Sequence, residues 1–453
     1  MMKFTTRQRR LCLASTALTG MILAGLPALA QTPSATEVNI SPIQQVGKTL
    51  ADRGIYLNAS YFGEFAGNPT GGAAQGSDYA DQVAAGADID LQKLAGWQGG
   101  ALHIEFTNRD GHNQGADVIN NSVATQQIYG GGQTYYLTTL TLEQKLAGGK
   151  VDILAGRTEL DQLTLHDPIY CHFQSNAICG QPDIMGKIIN ATFWPVAVWA
   201  GQVIVSPVQD WYMKAGIADQ DPDDSASYHH GFDWGLSGST GFELPLEIDY
   251  QTSFADDALP RRYDVGVVFD RSPYTYAQYN SMTGAMGSSH AYGRTMVYVQ
   301  AKQMVYRPDM NSERGLTLFG GVVLGPNDNQ QANFNVNGGG VYQGPFASRP
   351  LDSAGLMVSA THYRDSFLNQ LYAYRVNTLG GTERPASNLI MMELDYDAFL
   401  TPWVDVMPNF QYIVNPDGLG SRAYPKGNLS NAFVIGLQFN IDIAKLVGLP
   451  SQS

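Results

Sequence analysis

From residue 55 onward the chain is dominated by long runs in which polar and apolar residues alternate strictly. In GIYLNASYFGEF, Ile55, Leu57, Tyr61 and Phe65 share one face, and Asn58, Ser60 and Glu64 share the other. In ALHIEFTNRD, Leu102, Ile104 and Phe106 alternate with His103, Glu105, Thr107 and Arg109. FELPLEIDY, IMMELDYDAF and AFVIGLQFNI repeat the pattern, with polar faces of Glu247 and Asp249, of Glu393, Asp395 and Asp397, and of Gln438 and Asn440. A period of two sends successive side chains to opposite faces, so each run is a strand with one apolar and one polar face. Soluble sandwiches alternate too, but two features favour a membrane barrel. The runs are roughly ten residues long, the length that crosses a bilayer at a tilt. Aromatics (Tyr56, Phe65, Tyr212, Tyr250, Trp403, Tyr412) also gather near run ends, as interfacial girdles do.

The N-terminus agrees. Lys3, Arg7, Arg9 and Arg10 precede an apolar run from Leu11 to Leu26, which closes on Ala28-Leu29-Ala30. This is the pattern of a secretory signal peptide over residues 1–30, with cleavage before Gln31. Cleavage would remove four basic residues and no acid, taking the formal charge from −14 to −18. So acidic a surface argues against nucleic acid as a partner. After the signal no apolar run is long enough for a membrane helix. In hydrocarbon every backbone amide must be paired, which leaves a closed sheet.

The expected fold is therefore all-β: an antiparallel transmembrane barrel of 16 strands over residues 55–441, in the outer membrane of a bacterium and surrounded by its lipid. The strands are expected to start near residues 55, 83, 100, 136, 150, 197, 210, 242, 263, 293, 314, 353, 368, 389, 403 and 431. Connections alternate between short turns (AGGK, SPVQ, DMNSE, TP) and long loops at 110–134, 158–196, 219–241, 272–292 and 325–351. That asymmetry is typical of outer-membrane barrels. Ahead of the barrel, in the segment 31–54, Ile43, Val46 and Leu50 are spaced for a short periplasmic helix. Residues 442–453 form a tail.

A sixteen-stranded barrel encloses an aqueous channel. Strand phase turns Glu64, Asp88, Asp90, His103, Glu105, Arg109, Glu143, Lys145, Lys214, Glu247, Asp249, Asp264, Lys302, Glu393, Asp395 and Asp397 inward. Acids outnumber bases, whereas an anion channel needs a ladder of Arg and Lys. Such a lumen suits neutral polyols, whose hydroxyls exchange hydrogen bonds with carboxylates and guanidinium and whose C–H faces pack on aromatic rings. It also suits cations. Cys171 and Cys179 lie in the longest connection, 158–196, and Cys12 leaves with the signal. In an oxidising compartment the pair is expected to form a disulfide that stiffens this loop, which would fold inward and set the pore size.

The elements GIYLNASYFGEFAGNPTGG, DIDLQKLAGWQGGALHI, LTLEQKLAGGKVDILAGR, CHFQSNAICGQP, VYVQAKQMVYRP, GLTLFGG and ELDYDAFLTPWVDVMPNFQYIVNPDG, in this order, resemble the carbohydrate-selective porins of the OprB family. The resemblance implies facilitated diffusion of glucose and other neutral mono- or oligosaccharides through a monomer, with a trimer left open. It also implies an Arg, Glu and Trp cluster at the constriction, onto which Glu64, Glu105, Arg109, Arg157 and Trp194 or Trp199 map. One departure is the C-terminus, where the last strand continues beyond Phe439 and Ile441 into DIAKLVGLPSQS instead of ending on an aromatic.

No catalytic constellation is present: the chain has no Gly-x-Ser-x-Gly elbow, no His-Glu-x-x-His pair and no phosphate loop,. DQDPDD at 219–224 lacks the spacing of a calcium loop, and His229-His230 is a lone pair, so neither metal nor cofactor is expected,. Two alternatives remain, a general or cation-preferring porin and a barrel-borne enzyme.

Overall fold

A computed structural model describes residues 41–130, 133–222 and 227–451. The expected signal peptide at 1–30 and the start of the following segment fall outside these residues. Ser41–Asp52 form helix α1, as the spacing of Ile43, Val46 and Leu50 predicts. The chain then enters the barrel through Gly54, whose φ of +89° suits glycine,.

The barrel strands are β1 (Ile55–Gly72), β2 (Gly76–Asp90), β3 (Gly100–Gly111), β4 (Tyr135–Leu146), β5 (Val151–Thr158), β6 (Val198–Val205), β7 (Trp211–Gln220) and β8 (Gly241–Gln251), followed by β9 (Arg261–Asn280), β10 (Ala285–Tyr306), β11 (Gly315–Leu324), β12 (Ala332–Gln343), β13 (Ser353–Tyr363), β14 (Asn388–Thr401), β15 (Val404–Val414) and β16 (Ser430–Asp442). Each pairs antiparallel with the next, and β1 closes on β16 through pairs such as Glu64↔Gln438 and Phe65↔Leu437. Closure leaves no unpaired sheet edge. Among the described residues no helix is long and apolar enough to cross a membrane.

Burial follows the alternation. Val83, Phe106, Leu246, Ile248, Leu394 and Ile435 point out and are exposed, while Glu64, Glu105, Glu247, Glu393 and Gln438 point in and are buried.

The strand count matches the expectation through two compensating differences. The strand expected near 368 is helix α2, Asp365–Tyr374, whose Phe367, Leu368 and Leu371 are buried on one face. The strand β12 lies inside what the sequence presents as a loop, because its run (ANFNVNGGGVYQ) dilutes Phe334, Val336, Val341 and Tyr342 with asparagines and three successive glycines,. One of the glycines is required by packing: a Cβ at Gly339 would collide with the Leu356 carbonyl oxygen and lie 2.7 Å from the Phe319 ring. The expected loop at 272–292 is also mostly strand, since β9 and β10 pair as far as Asn280↔Ala285.

After β16 the chain turns through a short helix, Ile443–Leu446, and the tail packs against α1, where a Cβ on Gly47 would collide with Leu449. The departure at the C-terminus is thus a small tertiary contact beside the strand that closes the barrel.

Candidate functional site

Arg109 sits near the end of β3 on the inward face. Its Nε donates to Gln82 Oε1 (2.8 Å) on β2, and its Nη1 donates to the carbonyls of Trp194 (3.0 Å) and Gly130 (3.3 Å). The Trp194 indole Nε1 donates to the same Gln82 oxygen (3.2 Å). One amide oxygen therefore orients both a guanidinium and an indole. Glu64 and the loop residues Glu159 and Asp161 lie within electrostatic range of the Arg109 charge. Glu64 Oε2 accepts from the Ile128 amide (3.2 Å), and its carbonyl accepts from Gln126 Nε2 (2.9 Å). Glu105 lies four residues before Arg109 on the same face and is buried. Glu64, Arg109 and Trp194 are thus neighbours on one side of the barrel interior, with Glu105 further along the same face of β3.

Arg157 and Trp199 are not part of this group. In the β5–β6 pair, Thr158↔Val198 and Leu154↔Gln202 face inward, so the intervening Arg157↔Trp199 pair faces outward,. Gln82 was missed because β2 begins at Gly76, ahead of the expected start at 83, and alternation from there turns it inward.

The connection 159–197 is bound to inward-facing side chains around much of the barrel. Gln174 N (2.8 Å) and Ser175 N (2.7 Å) each donate to one oxygen of Glu393 on β14. His172 Nε2 lies 2.7 Å from Asp395 Oδ1, Asn409 Nδ2 donates to Gln174 Oε1 (2.6 Å), and Leu165 N donates to Glu247 Oε2 (3.2 Å). Lys302 Nζ donates to Asp167 Oδ1 (2.6 Å), and Arg262 Nη1 to the His166 carbonyl (2.7 Å). These two cations hold the Asp167 carboxyl below its ordinary pKa against the opposing effect of burial,. Asp161 has lost more solvent than it gains from His166, and burial pushes it up to about 6. Between the polar contacts, Leu163, Tyr170, Phe173, Ile178, Met185 and Ile188 join one apolar cluster with Val268, Met296, Phe319 and Met357 of the wall.

The expected disulfide is absent: Cys171 and Cys179 are both thiols. Other bonds hold this turn. Asp167 N donates to the Gly180 carbonyl (2.9 Å), Asp167 Oδ1 caps Ile169 N (3.0 Å), and Ile178–Cys179 pairs with Gln181–Pro182. Tyr170 and Phe173 are buried beneath it.

Many inward acids have cationic partners. Asp88, His103, Glu143, Lys145 and Asp152 form a ladder from β2 to β5, with separations of 2.6, 3.2, 2.5 and 3.5 Å. Glu247, Asp249 and Asp264 converge closely enough to hold a cation, but Lys214 and Arg262 take that role at 2.5–3.3 Å.

A closed sixteen-stranded barrel with an apolar exterior, a charged interior and a long connection bound to its inner wall is a porin-type barrel of the bacterial outer membrane. Residues 74–443 match the family described as "Carbohydrate-selective porin, OprB family", and the chain belongs to that family. It is similar to "Porin B" of Pseudomonas aeruginosa, with 30% identity over 86% of this chain and 87% of that one. It is also similar to a "Putative porin QuiX" of Acinetobacter baylyi, with 27% identity over 87% of this chain and 90% of that one. Among solved structures, the high-pH form of Pseudomonas putida OprB superposes with a TM-score of 0.77 at 27% identity, covering 87% of this chain and 95% of that one.

Proposed function

We propose that the protein passes glucose and other neutral sugars into the periplasm by facilitated diffusion, each chain forming its own channel. The connection 158–196 narrows the lumen, and Glu64, Glu105, Arg109 and Trp194 line its narrowest part. The observation that carries this is the Gln82-centred arrangement of Arg109 and Trp194, which sets a fixed donor beside an aromatic face and within range of Glu64. A pyranose needs that combination: hydroxyls exchange hydrogen bonds with charged groups while the ring's C–H face packs on indole. The pairing of interior acids with Lys and Arg also favours a neutral solute, because it reduces the net potential that would select cations,.

Liposome swelling tests the proposal against a general or cation-preferring porin. Glucose should enter faster than a neutral, non-sugar osmolyte of the same size, and glucose flux should saturate. Equal rates for both, with reversal potentials in salt gradients set by cations, would favour the general porin.

A further inference from the structure

Arg157 has no place in the lumen, yet it is fully buried. An arginine on the lipid-facing wall of a barrel is costly, so whatever covers it matters. The cover is the connection between β7 and β8. Arg157 Nη1 donates to the Asp233 carbonyl (2.7 Å) of that loop and Nη2 to the Ala197 carbonyl (2.8 Å). The loop continues along the outside of the wall. His230 stacks on Tyr135 at 4.2 Å, Phe232 meets the outward Phe106 at 6.3 Å, and Trp234 meets Trp199 at 6.0 Å.

The wall beneath is unusual in height. Strands β5 and β6 have 8 residues each, and every other barrel strand has 10 or more. A tilted transmembrane strand needs about 9–11. Because β5 stops at Thr158, the start of β4 rises beyond it, and the Leu137 amide donates to the His230 carbonyl of the loop (2.9 Å) instead of to a strand. Gly231, at φ +76°, permits this approach, since a Cβ there would lie 2.5 Å from the Leu137 oxygen. On its far side the loop exposes Tyr228 (71%) and Leu236 (63%), along with Phe232 and Trp234.

We propose that the described part of this loop, residues 227–236, completes the lipid-facing band where the wall is shortest, its exposed aromatic and aliphatic side chains contacting lipid of the outer leaflet, and that Arg157 is the positioning residue that clasps it to the barrel. The occupant follows from continuity: thinning the bilayer to suit two neighbouring strands costs free energy for each ångström of mismatch, and the loop's ring side chains adjoin the exposed outward residues Phe106 and Tyr135,.

The test places a nitroxide at Leu236→Cys and, separately, at Phe232→Cys in the full chain. The protein is reconstituted in phosphatidylethanolamine–phosphatidylglycerol vesicles, with unsubstituted protein as the blank for labelling of Cys171 and Cys179. In power-saturation EPR, dissolved oxygen should relax both labels severalfold more strongly than a water-soluble nickel chelate. A label at Met282→Cys, on the tip of the β9–β10 hairpin, should show the reverse. Arg157→Met should shift the position-236 label severalfold toward the chelate, and Arg157→Lys should recover part of the shift. If Arg157→Met does not assemble, Arg157→Gln, which is too short to reach both carbonyls, carries the clasp test, and an unchanged ratio in it refutes the clasp. Chelate-dominated relaxation at both loop positions would overturn the proposal. So would label–label broadening that vanishes on dilution with unlabelled protein, which would make a second copy of the chain the occupant. Neither result depends on whether the channel selects sugars.

Discussion

Replacing Glu393 by alanine should release the middle of the 159–197 connection while leaving the barrel closed. The Glu393 carboxylate accepts one hydrogen bond from each of two successive loop amides, at 2.8 Å from Gln174 and 2.7 Å from Ser175, in a fully buried setting. A hydrogen bond to a charged group contributes about 1.5–3 kcal/mol, and a buried donor left without a partner costs a similar amount. Losing both should weaken docking of this stretch by about 3–6 kcal/mol. At about 1.4 kcal/mol per factor of ten, the Gln174 and Ser175 amides should exchange with deuterium roughly 10²- to 10⁴-fold faster. Glu393→Gln keeps one acceptor oxygen and should show about half of the free-energy effect. Amide exchange read by mass spectrometry on peptides spanning 170–180, with β14 and β15 peptides as internal standards, measures both variants. Unchanged exchange at 170–180 in an alanine variant whose strand peptides stay protected would refute the carboxylate latch.

Four further outcomes are expected. Gln82→Leu removes the acceptor shared by Arg109 and Trp194 and should raise the glucose concentration for half-block of conductance by about 5- to 50-fold, at about 1 kcal/mol per lost bond; Gln82→Glu, which keeps the acceptors, should stay near wild type. For Asp161 the folded pKa of about 6 lies above its ordinary value, so the folded state holds the extra proton, and stability falls as pH rises from about 4 to about 6 and is flat above,. Asp161→Asn should abolish that slope in pH-dependent exchange of the 159–166 peptides. Asp167 has the opposite sign: its pKa is depressed, so its contribution is present at neutral pH and is lost only as pH falls below the ordinary aspartate range,. Gly339→Val, which has no room beside the Leu356 carbonyl, should abolish the heat-modifiable electrophoretic shift of the closed barrel.

The alternation exposed most of the wall and its inside–outside phase, because lipid on one side and water on the other impose a period of two on every strand. It failed where packing replaces that contrast. Strand β12 carries three successive glycines, one of which, Gly339, has no room for a side chain beside the Leu356 carbonyl and Phe319, and composition alone makes such a run look like a loop. Helix α2 carries Phe367, Leu368 and Leu371 in a stretch too short to separate a helical period from an alternating one,. At the site, Glu64, Glu105 and Arg109 were legible from phase. Trp194 came only from the family resemblance, and Arg157 and Trp199 followed it to positions that strand register turns outward. The Cys171–Cys179 pair was legible as a neighbourhood but not as a bond, since the stiffness it was expected to supply comes from Asp167, Gly180 and buried aromatic packing.

The central claim is that the lumen holds a sugar site at the Arg109 side of the barrel. Single-channel conductance in a planar bilayer, with glucose titrated into the bath, tests it directly. Saturable, concentration-dependent block that weakens in Arg109→Ala and Glu64→Ala but not in Arg157→Met is the predicted result. A steady open-channel conductance unaffected by any sugar would contradict it.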